Sequence, residues 1–189
     1  MFIQTEATPN PETLKFLPGR DVLGAGGRDF SDVQAAAASP LAMELFQIDG
    51  VKRVYFGPDF LTVAKDPAIE WAHLKPHILA AIMEHFVAER PLLLEEGESA
   101  DEADISYEGD AAEIVKELKE LIEVRVRPAV ARDGGDITFH SWDHANGVVK
   151  LNMKGACAGC PSSTLTLKQG IENMLRHYVP EVLGVEQVV

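Results

Sequence analysis

Apolar and polar positions recur along most of the chain with a period that identifies each element. Residues 2–7 are short and β-favouring and end at Pro9-Asn10-Pro11, a turn signal. Residues 13–17 alternate as a strand does and are closed by Pro18-Gly19. Residues 19–31 are polar and glycine-rich and are predicted to be a loop. Gly24-Ala25-Gly26-Gly27 lacks the Gly-Lys-Ser/Thr ending of a phosphate-binding loop, so a flexible turn is expected rather than a nucleotide cradle. Ser39-Pro40 supplies a hydroxyl cap and a first-turn proline for a helix to about Ile48, stopped by Asp49-Gly50. Residues 51–56 and 60–64 form a hairpin around Gly57-Pro58-Asp59. Residues 69–88 have helical spacing, with Pro76 predicted to kink or restart the helix. The order ββαββα makes residues 1–90 an α+β domain.

The pattern then breaks. Leu92-Leu93-Leu94 is followed by Glu95, Glu96, Gly97, Glu98, Asp101, Glu102 and Asp104. Nine of the 30 acidic residues lie in 91–113, where there is no Lys or Arg. Like charges keep such a stretch extended, so residues 91–109 read as an acidic linker, a spacer in preference to the alternative of a docking strip for a basic partner. Periodicity resumes at Asp110, expected to cap a helix over about 111–131. Its Ile114, Leu118, Leu121, Ile122 and Val126 recur at helical spacing, and Pro128 is predicted to perturb its last turns. After Gly134-Gly135, strands over 136–142 and 148–153 meet at Asn146-Gly147, a strong hairpin signal. A small-residue loop over 155–160, a helix from Pro161 to about Tyr178 and a strand over 185–189 complete the order αββαβ. The fold class is therefore α+β. Two small α/β-sandwich-like domains, residues 1–90 and 110–189, are joined by the acidic linker over 91–109, and no internal repeat is seen.

Charge and composition narrow the function. A net charge of −13 opposes nucleic-acid binding through clustered Lys and Arg. No apolar run reaches the length of a membrane span, so no membrane partner is expected. Residues 1–13 have neither signal-peptide character nor the arginine-rich character of a transit peptide. A cytoplasmic protein is the plain expectation, with the mitochondrial matrix as the alternative for a chain numbered after presequence removal.

The chemistry sits in Gly155-Ala156-Cys157-Ala158-Gly159-Cys160-Pro161, which holds both cysteines of the chain. Two cysteines three apart on a turn aim both sulfurs at one point, and the small residues let backbone approach whatever the sulfurs hold. Pro161 suits a first helical turn, which puts Cys160 near the helix start. Backbone N–H groups, the positive helix end and Lys154 are then expected to lower the thiol pKa and favour thiolate. A [4Fe–4S] cube takes four thiolates. Two chains with two cysteines each supply that number around a two-fold axis. Such a cluster, shared at a subunit interface, is one that can leave. The spacing also fits a thioredoxin-like thiol–disulfide oxidoreductase with Cys157 attacking, half of a Cys₄ zinc site in a dimer, or a structural disulfide.

At these residues the sequence resembles a known family. Met153 to Ser163, with Thr166-Leu167 and the upstream Asp133-Gly134-Gly135-Asp136, is similar to the NifU C-terminal domain. Thr8-Pro9-Asn10-Pro11, Lys15-Phe16, Ser39-Pro40-Leu41-Ala42, Gly50-Val51 and Phe56-Gly57-Pro58-Asp59-Phe60 resemble the Nfu N-terminal domain. The resemblance covers both domains and implies a non-enzymatic carrier with no catalytic residues. It implies Cys157 and Cys160 as ligands of a [4Fe–4S] cluster bridged between two protomers. The partners implied are a second copy on cluster binding, upstream assembly proteins, and apo iron–sulfur clients such as aconitase or lipoyl synthase. The scaffold and [2Fe–2S] domains of full-length nitrogen-fixation relatives have no counterpart here, which argues against a dedicated nitrogenase role.

Other chemistry-bearing side chains have plainer readings. His73 and His77 have metal-pair spacing without the Glu of H-E-x-x-H, and are expected at the surface or in packing. His140 and His144 flank a hairpin near the cysteines in sequence order, a weak case for extra ligands. His177 suits a helix C-terminus, and Ser162 and Ser163 suit free N–H groups at a helix start. Arg125, Arg127 and Arg132 form either a basic face for an acidic partner or a solvated helix side.

Overall fold

In the computed structural model, which describes residues 1–94, 105–159 and 161–188 (backbone alone for 161–164), the chain forms two units, Met1–Ser99 and Ala100–Val189. The first contains β1 Gln4–Ala7, β2 Thr13–Leu17, β3 Arg28–Phe30, α1 Val33–Ala36 and α2 Pro40–Phe46. It continues with β4 Val51–Phe56, β5 Leu61–Lys65 and α3 Trp71–Val87. The strands form one antiparallel sheet in the order β1-β2-β5-β4-β3. Phe16, Phe30, Val54, Phe56, Leu61 and Val63 from the sheet share a core with Leu41, Leu45, Leu74, Ile78 and Ile82 from the helices. Ser39 caps α2, its Oγ accepting the Ala42 N–H at 3.1 Å ahead of Pro40.

Two expectations are corrected in this unit. The loop expected over 19–31 contains β3, which forms a sheet edge against β4. Arg53 holds it through two bonds to the Asp29 carboxylate, at 2.9 and 2.8 Å. Pro76 does not restart α3, which runs from Trp71 to Val87 through it. The carbonyl that loses its partner belongs to Ala72, and both residues are exposed, so that carbonyl is open to water.

The flanks of the expected linker are tied down. Leu92 and Leu93 pack against the first core, and the Leu94 N–H donates to the Ala38 carbonyl at 2.8 Å. On the other side Tyr107 packs against the second core, and its hydroxyl accepts the Trp142 N–H at 2.8 Å. Most of the acidic run, residues 95–104, lies outside the described residues.

The second unit begins with α4, Asp110–Leu121. Its N-cap is Gly109 rather than Asp110, which sits in the first turn with Glu113, where the helix dipole favours acids. A π-helical turn, Ile122–Val126, then leads into α5, Arg127–Arg132. Pro128 has no N–H to give the Val124 carbonyl, and its ring crowds that carbonyl. The wider turn relieves the crowding, and the Arg127 N–H bonds back to Ile122 instead. β6 Gly135–Asp143, β7 Val148–Gly155, α6 Pro161–Tyr178 and β8 Gly184–Gln187 follow. β6 and β7 form a hairpin, and β8 pairs parallel to β7, with α6 as the crossover that parallel pairing requires. Leu118, Ile122, Val126 and Val130 from the helical stretch share a core with Ile137, Phe139, Val149, Leu151, Met153, Leu175 and Val185. Among the described residues no helix is long and apolar enough to cross a membrane.

Candidate functional site

Pairing of β6 with β7 brings the cysteine loop to the start of β6. Gly135 lies opposite Gly155 and Asp136 opposite Lys154. Beyond Gly155 the chain turns tightly: the Ala156 N–H donates to the Gly134 carbonyl at 3.1 Å, that of Cys157 to Lys154 at 3.3 Å, and that of Ala158 to Gly155 at 3.1 Å. These bonds fold the loop over the Asp133-Gly134-Gly135-Asp136 segment. Cys157 is 4% exposed and belongs to the second core, and Ala156 and Ala158 are buried beside it. A Cβ built on Gly135 would stand 2.2 Å from Cys157 Sγ and 3.0 Å from its backbone nitrogen. Gly135 is therefore required by the sulfur, which fills the space a side chain would take.

The electrostatics reverse one expectation. Burial, reinforced by the Asp133 and Asp136 carboxylates, pushes the Cys157 thiol up to about 12. The predicted lowering by a helix start and Lys154 does not occur at this residue, because its sulfur is tucked into an apolar pocket with acidic neighbours. Cys157 is thus a neutral thiol at physiological pH.

A second feature escaped the sequence reading. Arg127 Nε and Nη2 donate to the two Asp136 oxygens at 2.8 and 2.9 Å, and Nη1 donates to Glu123 at 2.7 Å. These bonds to Asp136 and Glu123 raise the already high pKa of the guanidinium. Asp136 also accepts the Ile137 N–H at 2.9 Å and is almost wholly buried. The pair joins the π-distorted helical stretch to the strand beneath Cys157. The only sequence signals for it are Pro128, which disturbs the helix beside Arg127, and an acid placed after two glycines.

The remaining candidates are separated from the loop. Cys160 lies outside the described residues, as do the side chains of Ser162 and Ser163. His140 and His144 lie toward the hairpin end of β6, away from the end of β7 that carries the cysteines. There His140 contacts Ser141 Oγ, and His144 accepts the Trp142 indole N–H at 3.2 Å. His73 and His77 are exposed on α3. His177 is exposed in the last turn of α6, with its ring edge-on to Tyr178. Arg125 lies over the Tyr178 ring, 4.8 Å from its centroid. Among the described residues no three His, Cys, Asp or Glu side chains are grouped to hold a metal ion.

Comparison with known proteins matches each unit separately. Residues 3–89 match the family described as scaffold protein Nfu/NifU N terminal, and residues 118–186 match the NifU-like domain. The chain is 52% identical over 187 residues to NifU-like protein 4, mitochondrial, of Arabidopsis thaliana, covering 99% of this chain and 66% of that protein. It is 51% identical to NifU-like protein 5, mitochondrial, of the same plant, covering 99% and 68%. It is 53% identical over 189 residues to the NFU1 iron-sulfur cluster scaffold homolog, mitochondrial, of Drosophila willistoni, covering 100% and 64%. The chain thus spans about two thirds of the length of the curated relatives it matches.

Proposed function

Because the chain belongs to the Nfu/NifU family, carrying an Nfu N-terminal domain and a NifU-like domain, we propose that it is an iron–sulfur cluster scaffold and carrier rather than an enzyme. Its cargo is a [4Fe–4S] cluster held by Cys157 and Cys160 of one chain and the same pair of a second copy. The observation that carries this reading is the cysteine count. One C-x-x-C loop per chain supplies two of the four thiolates a cubane needs, and a two-fold dimer supplies the rest. A site completed only by a partner is one that can be dismantled, which suits delivery to apo-proteins after uptake from assembly proteins.

What the chain itself does in this reading is position and protonate. Cys157 is held as a neutral thiol, so its sulfur must release its proton before it takes iron. Arg127 and Asp136 fix the floor of the loop, and Gly135 leaves room for the sulfur. The first unit has the role of client recognition or of modulating transfer. A protonated, buried Cys157 is a poor attacking group at neutral pH, so the thiol–disulfide alternative is not favoured. Of the two compartments expected from the sequence, the relatives' names favour the mitochondrial one and give the cytoplasmic one no support.

The test is anaerobic reconstitution with iron and sulfide, followed by Fe and S analysis, Mössbauer spectroscopy and mass in solution. About two irons and two sulfides per chain, with a cubane spectrum in a dimer, is the expected result. Retained zinc, or no metal together with a readily cycled disulfide, would replace this reading with a structural or redox one.

A further inference from the structure

We propose that Cys157 is a stored ligand, kept in the core of the second unit and delivered to the cluster by an outward turn of residues 156–159 about Gly155 and Gly159. This deepens the function proposed above and rests on the reading of Cys157 as a cluster ligand. A thiolate shared with a second chain has to face outward before the two copies close on the cargo. Cys157 faces inward: its sulfur occupies the notch over Gly135 and is packed with the second core.

That notch is specific to the sulfur. Gly135 has no positive φ, so the backbone there accommodates any L residue, and only the space taken by Cys157 excludes a side chain. The loop is also built to leave. Gly155 and Gly159 both hold left-handed φ angles, 59° and 75°. Glycine adopts either hand at little cost, so the two ends of the segment can redirect the chain while β7 and α6 stay in place. Among the described residues the Ala156 N–H bond to the Gly134 carbonyl ties the loop to its neighbour, those of Cys157 and Ala158 being local to the turn, and Ala156 and Ala158 bury only methyl groups. Its outward turn therefore exposes little apolar surface besides the cysteine. Storage keeps the ligand from oxidants and stray metal between loadings, and it makes loading a gated step.

The experiment uses the full apo-chain and iodoacetamide, with modification of Cys157 followed by peptide mass mapping. The expected rate is at least about tenfold below that of the urea-unfolded chain, as for a site reached by local opening. It should level off at high iodoacetamide concentration, where opening becomes limiting, and should be insensitive to low urea. Gly135→Ala fills the notch and should speed modification at least about tenfold while urea unfolding stays cooperative. A Gly135→Ala chain that folds and reacts at the parent rate overturns the proposal. So does a parent rate equal to that of the unfolded chain, or one that rises with urea along the slope of global unfolding. These last two tests need no variant and decide the matter if Gly135→Ala does not fold. A Cys157→Ala chain that still holds a stoichiometric cluster overturns the ligand reading itself, while the alkylation rates report on storage separately.

Discussion

Arg127 grips both carboxylate oxygens of Asp136, tying the helix that follows the π turn to the first residues of β6. The two partners are unequally buried: the Asp136 side chain is 7% exposed and the Arg127 side chain 24%. Removing the arginine takes the two-pronged partner from a carboxylate that sees little water, though the Ile137 N–H still reaches it, whereas removing the aspartate leaves a guanidinium that still reaches solvent and Glu123. Arg127→Ala is therefore expected to destabilise the second unit by about 3 kcal/mol, and Asp136→Ala by clearly less. Urea unfolding of the two single variants and the double variant measures this. Equal costs for the two single changes would show that burial is not what sets the pair's energy.

In the first unit, His85 is fully buried near the end of α3. Both of its ring nitrogens lack hydrogen-bond partners among the described residues. Burial lowers its pKa below 6.5, opposed by the Glu44 charge and helped by that of Arg90. The unfolded chain then binds a proton that the folded chain resists. Stability is full above about 6.5 and falls as the pH drops below it. His85→Phe should flatten this acid dependence and raise stability at neutral pH by about 1 kcal/mol, since two unpaired polar atoms are removed. Calorimetry of parent and variant between about pH 5 and 7.5 tests it, a window that brackets the ordinary histidine pKa. Parallel pH profiles would sink the idea.

Tyr107 extends the second unit upstream of α4. Its hydroxyl accepts the N–H of Trp142, a buried residue next to the irregularity in the β6–β7 register. Tyr107→Phe keeps the ring in the core and leaves that N–H without its acceptor, a loss of about 1–2 kcal/mol. Chemical denaturation of the full chain reads the change. An unaltered midpoint would mean that water replaces the hydroxyl.

The parts of this fold legible from sequence are those set by local rules. Thr13–Leu17 alternates, Ser39-Pro40 caps and opens a helix, and Asn146-Gly147 turns a hairpin, each within a few residues. What escaped depends on partners distant in sequence. β3 has three residues, too few to show a period, and exists because Val54–Phe56 offers a sheet edge and Arg53 a counter-charge. The irregularity between Phe139 and Ser141 shifts the inward phase, so Trp142 rather than Ser141 follows Ile137 and Phe139 into the core. The two cysteines are visible in the sequence, but the environment of Cys157 is not. Lys154 and a helix start are visible beside it in the sequence. Gly135, Asp133 and Asp136 reach it only through the pairing of β6 with β7.

That environment gives Cys157 an alkaline signature. Its ordinary value is 9.0 and the folded chain holds it near about 12, so above pH 9 the unfolded chain loses a proton that the folded chain keeps. Stability from this group is full below about pH 9 and declines as pH rises toward 12, by up to about 1.4 kcal/mol per pH unit. Cys157→Ala removes the dependence but also removes packing, so the variant should be the less stable chain at neutral pH. Its deficit should then shrink by about 2 kcal/mol between about pH 9 and 10.5. Other alkaline groups titrate equally in both chains and cancel in the difference. Urea unfolding of parent and variant under anaerobic reducing conditions at about pH 7.5, 9 and 10.5 gives that difference directly. A deficit that stays constant over this range would mean that Cys157 ionises in the folded chain as freely as in the unfolded one, and its sulfur would then have to be in contact with water.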